Sequence, residues 1–437
     1  MGEDAIHMLQ SVMDEFVREK MQNNTLYKLH LDAKKKERRQ TIHSFHRFYG
    51  KLIPAIPCWA ISEFAKPGYT VADVFCGSGT TLVEARMMGR NSFGLDIVPL
   101  ACLITKAKST PIDPKILRRC KQELLKGIRK EMTALKISSE ELPKIANLEH
   151  WFRPDVINFL YALRRRILKI NVEDIHDFFL AAYSAIMRDV SNADPRQVFP
   201  GYSKRLRMLD KKGLRNFDPI DVYNNGLDLR IKQMEDFYKN AKKDVFTRVY
   251  NGDARDIPDE INGVDLIVIN PPYLGSIRYI ETIKLEMAWV QNFKSREDLW
   301  EIDRSVIATE RIYAKDYSKL KLTGYKMLDD QIGRLYERGK RKMANVVARY
   351  FLDMKKSFQQ MYEILCRDGH LVIKIGDSLI RKERIPTHEY FINMAKEANF
   401  TVLASFKDEI RSRSLLTKRN WYSDMLPNDW ILVFKKR

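Results

Sequence analysis

Residues 264–273, VDLIVINPPY, read as an apolar strand cut off by two prolines. Asp265 is the sole charge in the run, and Leu266, Ile267, Val268 and Ile269 are apolar and mostly β-branched, as an interior parallel strand requires. Pro271 and Pro272 end the ladder because neither carries a backbone N–H. Asn270 and Tyr273 are thereby left at the carboxyl end of the strand, where open α/β sheets hold their ligands. An amide acceptor, a rigid turn and an aromatic face suit one task, the holding of a planar amine. A proline-rich turn after any strand would give the same letters, so a second motif is needed.

That motif is residues 71–81, VADVFCGSGTT, followed by a helical stretch over 82–90 and by residues 91–97, NSFGLDI. The order is strand, glycine loop, helix, strand. Gly77 and Gly79 permit a tight turn and a close approach to a ligand. Ser78, Thr80 and Thr81 are expected to supply hydroxyls at the helix start. Asp96 closes the second strand about 20 residues after the loop, where an acid accepts from ribose hydroxyls. No Lys follows the glycines, which excludes a Walker loop, and the third glycine of the dinucleotide fingerprint is absent.

Together the two motifs resemble the DNA amino-methyltransferases, which use S-adenosylmethionine to methylate adenine N6 or cytosine N4. The family's glycine loop, D-x-F-x-G-S-G-T, is matched by Asp73, Phe75, Gly77, Ser78, Gly79 and Thr80. Its catalytic loop, (D/N/S)-P-P-(Y/F/W), is matched by Asn270, Pro271, Pro272 and Tyr273. Residues 46–54, HRFYGKLIP, resemble the segment that folds over the cofactor's methionine end, with Tyr49-Gly50 where the pattern has Pro-Ala. The resemblance covers roughly residues 42–110 and 246–437.

It implies that Tyr49, Lys51, Asp73, Phe75, Cys76, Gly77, Ser78, Gly79, Thr80, Asp96, Ile97, Asp253 and Ala254 hold the cofactor. Two acids also have plain structural readings. Asp73 fits an acid capping the turn after its strand, and Asp253, in NGD, fits a turn. For catalysis, the Asn270 side-chain oxygen and the Pro271 carbonyl would accept from the two N–H bonds of an exocyclic amine. That localises the amine's lone pair on nitrogen. Neither a metal nor a strong general base is required. The base must be flipped out of the duplex, and Tyr273 would stack on it.

The 437 residues carry 76 Lys and Arg against 57 Asp and Glu, a net charge of +19 that points to a polyanionic partner, here duplex DNA. No apolar run approaches 18 residues, and the N-terminus lacks a signal-type apolar region, so a soluble intracellular protein is expected. Cys58, Cys76, Cys102, Cys120 and Cys366 show no CxxC spacing, which argues for buried thiols rather than a zinc site or a disulfide scaffold.

Along the chain, residues 1–40 read as a helical arm ending in the basic run KKKERR, residues 34–39. The first core helix is expected at 55–66 and another at 98–108. The third core strand is expected at 246–250, FTRVY, and Asp96 lies 157 residues from Asp253. Links in a doubly wound fold take a few tens of residues, so a helical insertion of domain size is expected at 115–245. Helices are expected there over 116–135, 154–170 and 172–190. Its second half is basic, with Lys204, Arg205, Arg207, Lys211, Lys212 and Arg215 close together, either a solvated face or a nucleic-acid contact. After the NPPY loop come a helical region at 277–345, an amphipathic helix at 351–366, a turn at 367–369 and a strand at 370–375. Strands at 401–406 and 430–434 would close the sheet.

The expected fold is α/β: a Rossmann-like seven-stranded methyltransferase core, 41–114 with 246–437, and a mainly helical insertion between its second and third strands. The expected function is site-specific DNA amino-methylation, with the base left open and a cognate restriction endonuclease left open as partner. An RNA base methyltransferase is the first rival. Protein glutamine methylation shares NPPY but suits the charge poorly. A non-catalytic nucleic-acid-binding module would not need Asn270, Tyr273 and Asp96 together.

Overall fold

The structure is a computed structural model and describes residues 41–275, 277–409 and 428–437. The expected N-terminal arm, 1–40, lies outside the described residues. Seven strands form one sheet: β1 (Thr70–Asp73), β2 (Asn91–Asp96), β3 (Thr247–Asn251), β4 (Val264–Ile269), β5 (Leu365–Gly376), β8 (Phe400–Glu409) and β9 (Asn428–Lys436). A small separate hairpin joins β6 (Ser378–Ile380) to β7 (Glu383–Ile385). The sheet order is β3-β2-β1-β4-β5-β9-β8. β1 to β5 run parallel, and β9 is antiparallel to both neighbours. This is the expected Rossmann-like fold. The strand order reverses between β1 and β4, so the carboxyl ends of these two strands form the switch-point crevice.

β4 shows why an unbroken apolar run was needed. Leu266 and Val268 face the helix α1 (Ala55–Phe64), packing with Ile56, Ala60 and Ile61. Ile267 and Ile269 face the opposite layer, with Phe351, Met354 and Phe358 of a helix at Arg341–Ile364. All four are 0% exposed, and each contributes roughly 1.5–3 kcal/mol of burial.

Between β2 and β3 the chain forms nine helices. Three of them, Pro154–Ile167, Glu173–Ala185 and Pro219–Asn240, share a core of Phe159, Phe178, Tyr183 and Tyr223. Through Leu100 and Ile104 of the helix Pro99–Ser109, that core is continuous with the sheet side of the molecule.

Several local expectations are corrected. The helix expected at 116–135 breaks at Gly127, φ 68°, into Pro114–Leu125 and Ile128–Ala134. The amphipathic helix begins at Arg341, ten residues before its expected start, because apolar positions recur at helical spacing from Met343 onward. The turn at 367–369 is a bulge within β5: Val264 pairs with Leu365 and Leu266 with His370, leaving Cys366 to Gly369 looped out, with Asp368 at φ 64°. The β6–β7 hairpin and the helix Thr387–Glu397 were not anticipated. Only Cys76 and Cys102 of the five free thiols are buried; the others are half-buried. No helix among the described residues is long and apolar enough to cross a membrane.

Candidate active site

β1 delivers the chain into the glycine loop through Asp73. Its carboxylate accepts from the Phe75 N–H at 3.1 Å and from the Thr81 hydroxyl at 2.8 Å. Asp73 is 4% exposed, and burial pushes its carboxyl up to about 7. It therefore shapes the loop from beneath and does not line the cleft above, the capping arrangement that its position at a strand end allowed. Gly79 sits at φ 74° and its N–H donates to the Cys76 carbonyl at 2.7 Å. A Cβ there would stand 2.8 Å from Thr105, so both the turn and the packing require glycine.

The expected helix-start hydroxyls do not cap. Gly79 is the N-cap of the helix Thr80–Met87, without a side-chain bond. Thr81 is bonded to Asp73, and the buried Ser78 Oγ has no partner among the described residues. The buried Lys108 donates to the Ser78 carbonyl, which fixes the loop from behind.

Asp96 closes β2 at the cleft. Its Oδ2 accepts from the Gly77 N–H and its Oδ1 from the Val98 N–H, both at 2.9 Å. Burial pushes this carboxyl up to about 6 against those hydrogen bonds. Each oxygen keeps a further lone pair for a ligand.

The cleft encloses roughly 710 Å³, open solvent at its mouth included. Of the expected site residues, Tyr49, Phe75, Gly77, Asp96, Ile97, Asp253, Ala254, Asn270 and Pro272 line it. Lys51, Asp73, Cys76, Ser78, Gly79, Thr80, Pro271 and Tyr273 do not. Lys51 instead donates to the carbonyls of His43 and His46, clamping residues 43–51 into a loop. Asp253 reaches the cleft, but its carboxylate is gripped by Arg255, with Nε at 2.9 Å from Oδ1 and Nη2 at 2.6 Å from Oδ2. Its Oδ1 also accepts the Arg255 N–H at 2.9 Å, which is the turn its NGD setting allowed.

Asn270 lines the same cleft as Asp96. Its Nδ2 donates to the Gly50 carbonyl at 2.8 Å, and its Oδ1 is without a partner among the described residues. Tyr273 is turned away: its ring lies against Gly376, where a Cβ would stand 2.9 Å from it. Its hydroxyl is 3.4 Å from both Asp429 and Lys374, a buried ion pair.

Sequence reading missed Gly50, Tyr279, Val306 and Ile307 as cleft residues. Gly50 has φ 77°, and a Cβ on it would meet the Tyr279 ring at 2.9 Å. The departure from Pro-Ala at this point is thus matched by an aromatic ring in the vacated space. Phe48 also lines the cleft, from within the segment that had been singled out.

The basic residues Lys204, Arg205, Arg207 and Lys211 lie exposed on the helix Lys204–Lys211, which Ser203 caps by accepting from the Leu206 N–H. Arg205 is 3.9 Å from Asp194, and Arg207 lies over the Tyr202 ring. Arg215 leaves the cluster: it bonds Asn192 at 2.7 Å and Asp210 at 3.3 Å. The loop before this helix touches the cleft wall, because the Tyr49 hydroxyl is 3.4 Å from the Gln197 carbonyl.

Residues 23–107 match the family model N6_N4_Mtase, described as DNA methylase. The chain is 26% identical over 429 residues to Type II methyltransferase M.MvaI of Kocuria varians, covering 92% of this chain and 90% of the relative. It is 24% identical over 330 residues to Type II methyltransferase M.MjaII of Methanocaldococcus jannaschii, covering 56% of this chain and 62% of the relative. Among solved structures, the rRNA methyltransferase aviRa of Streptomyces viridochromogenes is 8% identical with a TM-score of 0.32, over 92% of this chain and 93% of its own. That likeness is too distant to bear on substrate.

Proposed function

We propose that this chain, which belongs to the DNA amino-methyltransferase family, transfers a methyl group from S-adenosylmethionine to the exocyclic amine of a base flipped out of duplex DNA, cytosine N4 or adenine N6. The observation that carries this reading is Asn270. One end of its amide is fastened to the Gly50 carbonyl, and the oxygen at the other end is buried without a partner among the described residues, in a side chain that lines the cleft.

The cleft suits the cofactor. Gly77 brings bare backbone to one wall, where a Cβ would stand 3.4 Å from Phe48. Asp96 offers free lone pairs at the strand end. Asp96 and Ile97 would hold the nucleoside, and Phe48, Tyr49 and Gly77 the methionine side. When bound, the cofactor supplies an electrophilic methyl group on a sulfonium.

The protein's own part is positional and electrostatic. Asn270 Oδ1 accepts one amine N–H, and the Pro271 carbonyl is proposed to accept the other. Two acceptors off the ring plane localise the nitrogen lone pair. The rigid Pro271-Pro272 turn keeps these acceptors in register with the cleft, so orientation is set before reaction. The alkylated amine is acidic enough to lose its proton without a strong base. Tyr273, seated against Gly376 and turned away from the cleft, is proposed to brace the loop that positions the base. The helical insertion at 115–245 is proposed as the target-recognition region, with Lys204, Arg205, Arg207 and Lys211 on phosphates. The Type II label of the relatives fits a cognate restriction endonuclease as partner.

Methylation-sensitive sequencing of DNA from a host expressing the protein tests this directly. Modified cytosine N4 or adenine N6 at a defined site is expected. Methyl label entering structured RNA and not DNA would replace this reading with the RNA one.

A further inference from the structure

Behind the loop that carries Phe48 lies a second cavity of roughly 800 Å³, open solvent included. Arg47, Lys51, Arg188 and Arg230 line it, with Asp189 exposed at the rim. Arg188 is 3% exposed and Arg230 9%. They come from different elements, the helices Met187–Val190 and Pro219–Asn240, so the convergence is a property of the fold and not of one charge run.

The bonds these four cations make go to neutral acceptors. Arg188 donates to the carbonyls of Thr282, Asp194 and Gln197. Arg230 donates to the Gly226 carbonyl. Arg47 donates to the Tyr49 hydroxyl and to the carbonyls of Pro195 and Gln197, and Lys51 to those of His43 and His46. Among the described residues none of the four has a carboxylate within ion-pair distance, and the Nε atoms of Arg188 and Arg230 are buried without a hydrogen-bond partner. Burying guanidinium charge without counter-charge is costly. Arg230 is pulled down only to about 10, so it is charged at neutral pH. Glu286, a buried carboxyl that acts on Arg188 through space, is pushed up to about 7 by burial and is a weak counter-ion, while the rim carboxylate Asp189 acts on Arg230, Arg47 and Arg188 from beyond ion-pair distance. His46, with its pKa driven down to about 3, adds no charge.

We infer that this cavity is a phosphate site, and that the phosphate it takes belongs to the DNA backbone beside the flipped base. Two buried guanidinium groups that line one cavity and carry unpartnered Nε–H groups suit a phosphate as counter-charge. The cavity shares Phe48 with the cleft. Arg47 and Arg188 grip the same Gln197 carbonyl that the Tyr49 hydroxyl faces, which puts the site on the rim that leads to the basic helix. The inference rests on the DNA-methylation reading and adds a phosphate anchor to it.

The test has two arms on the full chain. Inorganic phosphate is titrated by calorimetry at constant ionic strength. One-site binding is expected, lost in Arg230→Gln and tightened in Asp189→Asn, an exposed rim change that leaves the buried arginines in place. Duplex plasmid DNA is then bound across a salt series. Arg230→Gln should lower the log–log slope by about 0.9, one phosphate contact. Absence of phosphate binding in the parent, or phosphate affinity unmoved by both substitutions, would overturn the site. Phosphate binding with an unchanged DNA slope would overturn the backbone assignment in favour of free phosphate. Methyl transfer to DNA by the parent, measured alongside, keeps failure of the site separate from failure of the methylation reading.

Discussion

Asn270 donates from Nδ2 to the carbonyl of Gly50, 2.8 Å away across a sequence separation of 220 residues. This single bond fixes which way the amide faces. The carboxamide nitrogen is tied down on the protein side, which leaves the buried, unpartnered oxygen as the acceptor proposed for the amine. The catalytic loop is thereby oriented by a backbone group from a different part of the chain.

Asn270→Ala should therefore abolish methyl transfer while cofactor and DNA affinity stay close to the parent's. Removing one preorganised acceptor costs roughly 10²–10³ in turnover. Asn270→Asp should fare no better, because a carboxylate oxygen would face the Gly50 carbonyl without a proton between them. Labelled-methyl incorporation into DNA, with calorimetry for the cofactor, decides the matter. Turnover near the parent's in Asn270→Ala would remove the residue from the chemistry.

Gly50→Ala probes the same bond from its other side. Position 50 has φ 77° and its Cβ would stand 2.9 Å from the Tyr279 ring. A left-handed alanine costs about 1 kcal/mol, and the ring must also move. Turnover should fall more than stability does, since the carbonyl that Asn270 reaches is displaced. Combining it with Tyr279→Ala should recover part of the turnover by clearing the clash. No recovery would mean that the strain, and not the ring, is at fault.

The central sheet was legible because its signals are local. β4 carries its unbroken apolar run and its two prolines within ten residues, and the glycine loop lies between two equally plain strands. Asp96 follows from the loop at fixed spacing. The Gly50–Tyr279 contact was not legible, since no periodicity links a loop glycine to a tyrosine in a distant helical stretch. Tyr273 read as a base-stacking ring because the sequence does not reveal that Gly376, at the far end of β5, leaves room for it. The Arg255 grip on Asp253 lies only two residues away, yet an arginine two positions along is too common to signal an ion pair. The β6–β7 hairpin is too short, at three residues a strand, to show an alternation.

Asp96 sets an expectation about pH. Its carboxyl is raised to about 6, and only the ionised form is a pure acceptor for hydroxyl donors. S-adenosylmethionine affinity should therefore rise as pH increases through 6 and level off above it. The sign follows from deprotonation being required for binding. Asp96→Asn should flatten that dependence, and Asp96→Ala should weaken binding roughly ten- to a hundredfold, as for hydrogen bonds to a charged group worth about 1.5–3 kcal/mol. Calorimetry between pH 5 and 8, flanking that value, reads both. Affinity that falls with rising pH would exclude Asp96 as the acceptor.

Neutralising Lys204, Arg205 and Arg207 together should weaken duplex binding at all sequences alike. These side chains are exposed on one short helix, and each phosphate contact contributes about 0.9 to the log–log salt slope. A fall of about 2–3 in the slope is expected, with cofactor affinity unchanged. A slope equal to the parent's would make the helix a solvated face.

Tyr273 is held by contacts that can be removed separately. Its hydroxyl lies 3.4 Å from both Asp429 and Lys374, and its ring lies on Gly376. Tyr273→Phe keeps the ring and leaves the ion pair intact, so turnover should drop only severalfold. Gly376→Ala should push the ring off its seat, because the new Cβ would stand 2.9 Å from it, and turnover should fall further while cofactor affinity holds. Asp429→Asn acts differently. Lys374 and Asp429 are each 8% exposed, and removing one partner leaves a buried charge unpaired, a loss of roughly 3–5 kcal/mol. Thermal unfolding should therefore single out Asp429→Asn, while methyl transfer should rank Tyr273→Phe above Gly376→Ala. If Gly376→Ala transfers methyl as fast as Tyr273→Phe, the seat of the ring is not what positions the base.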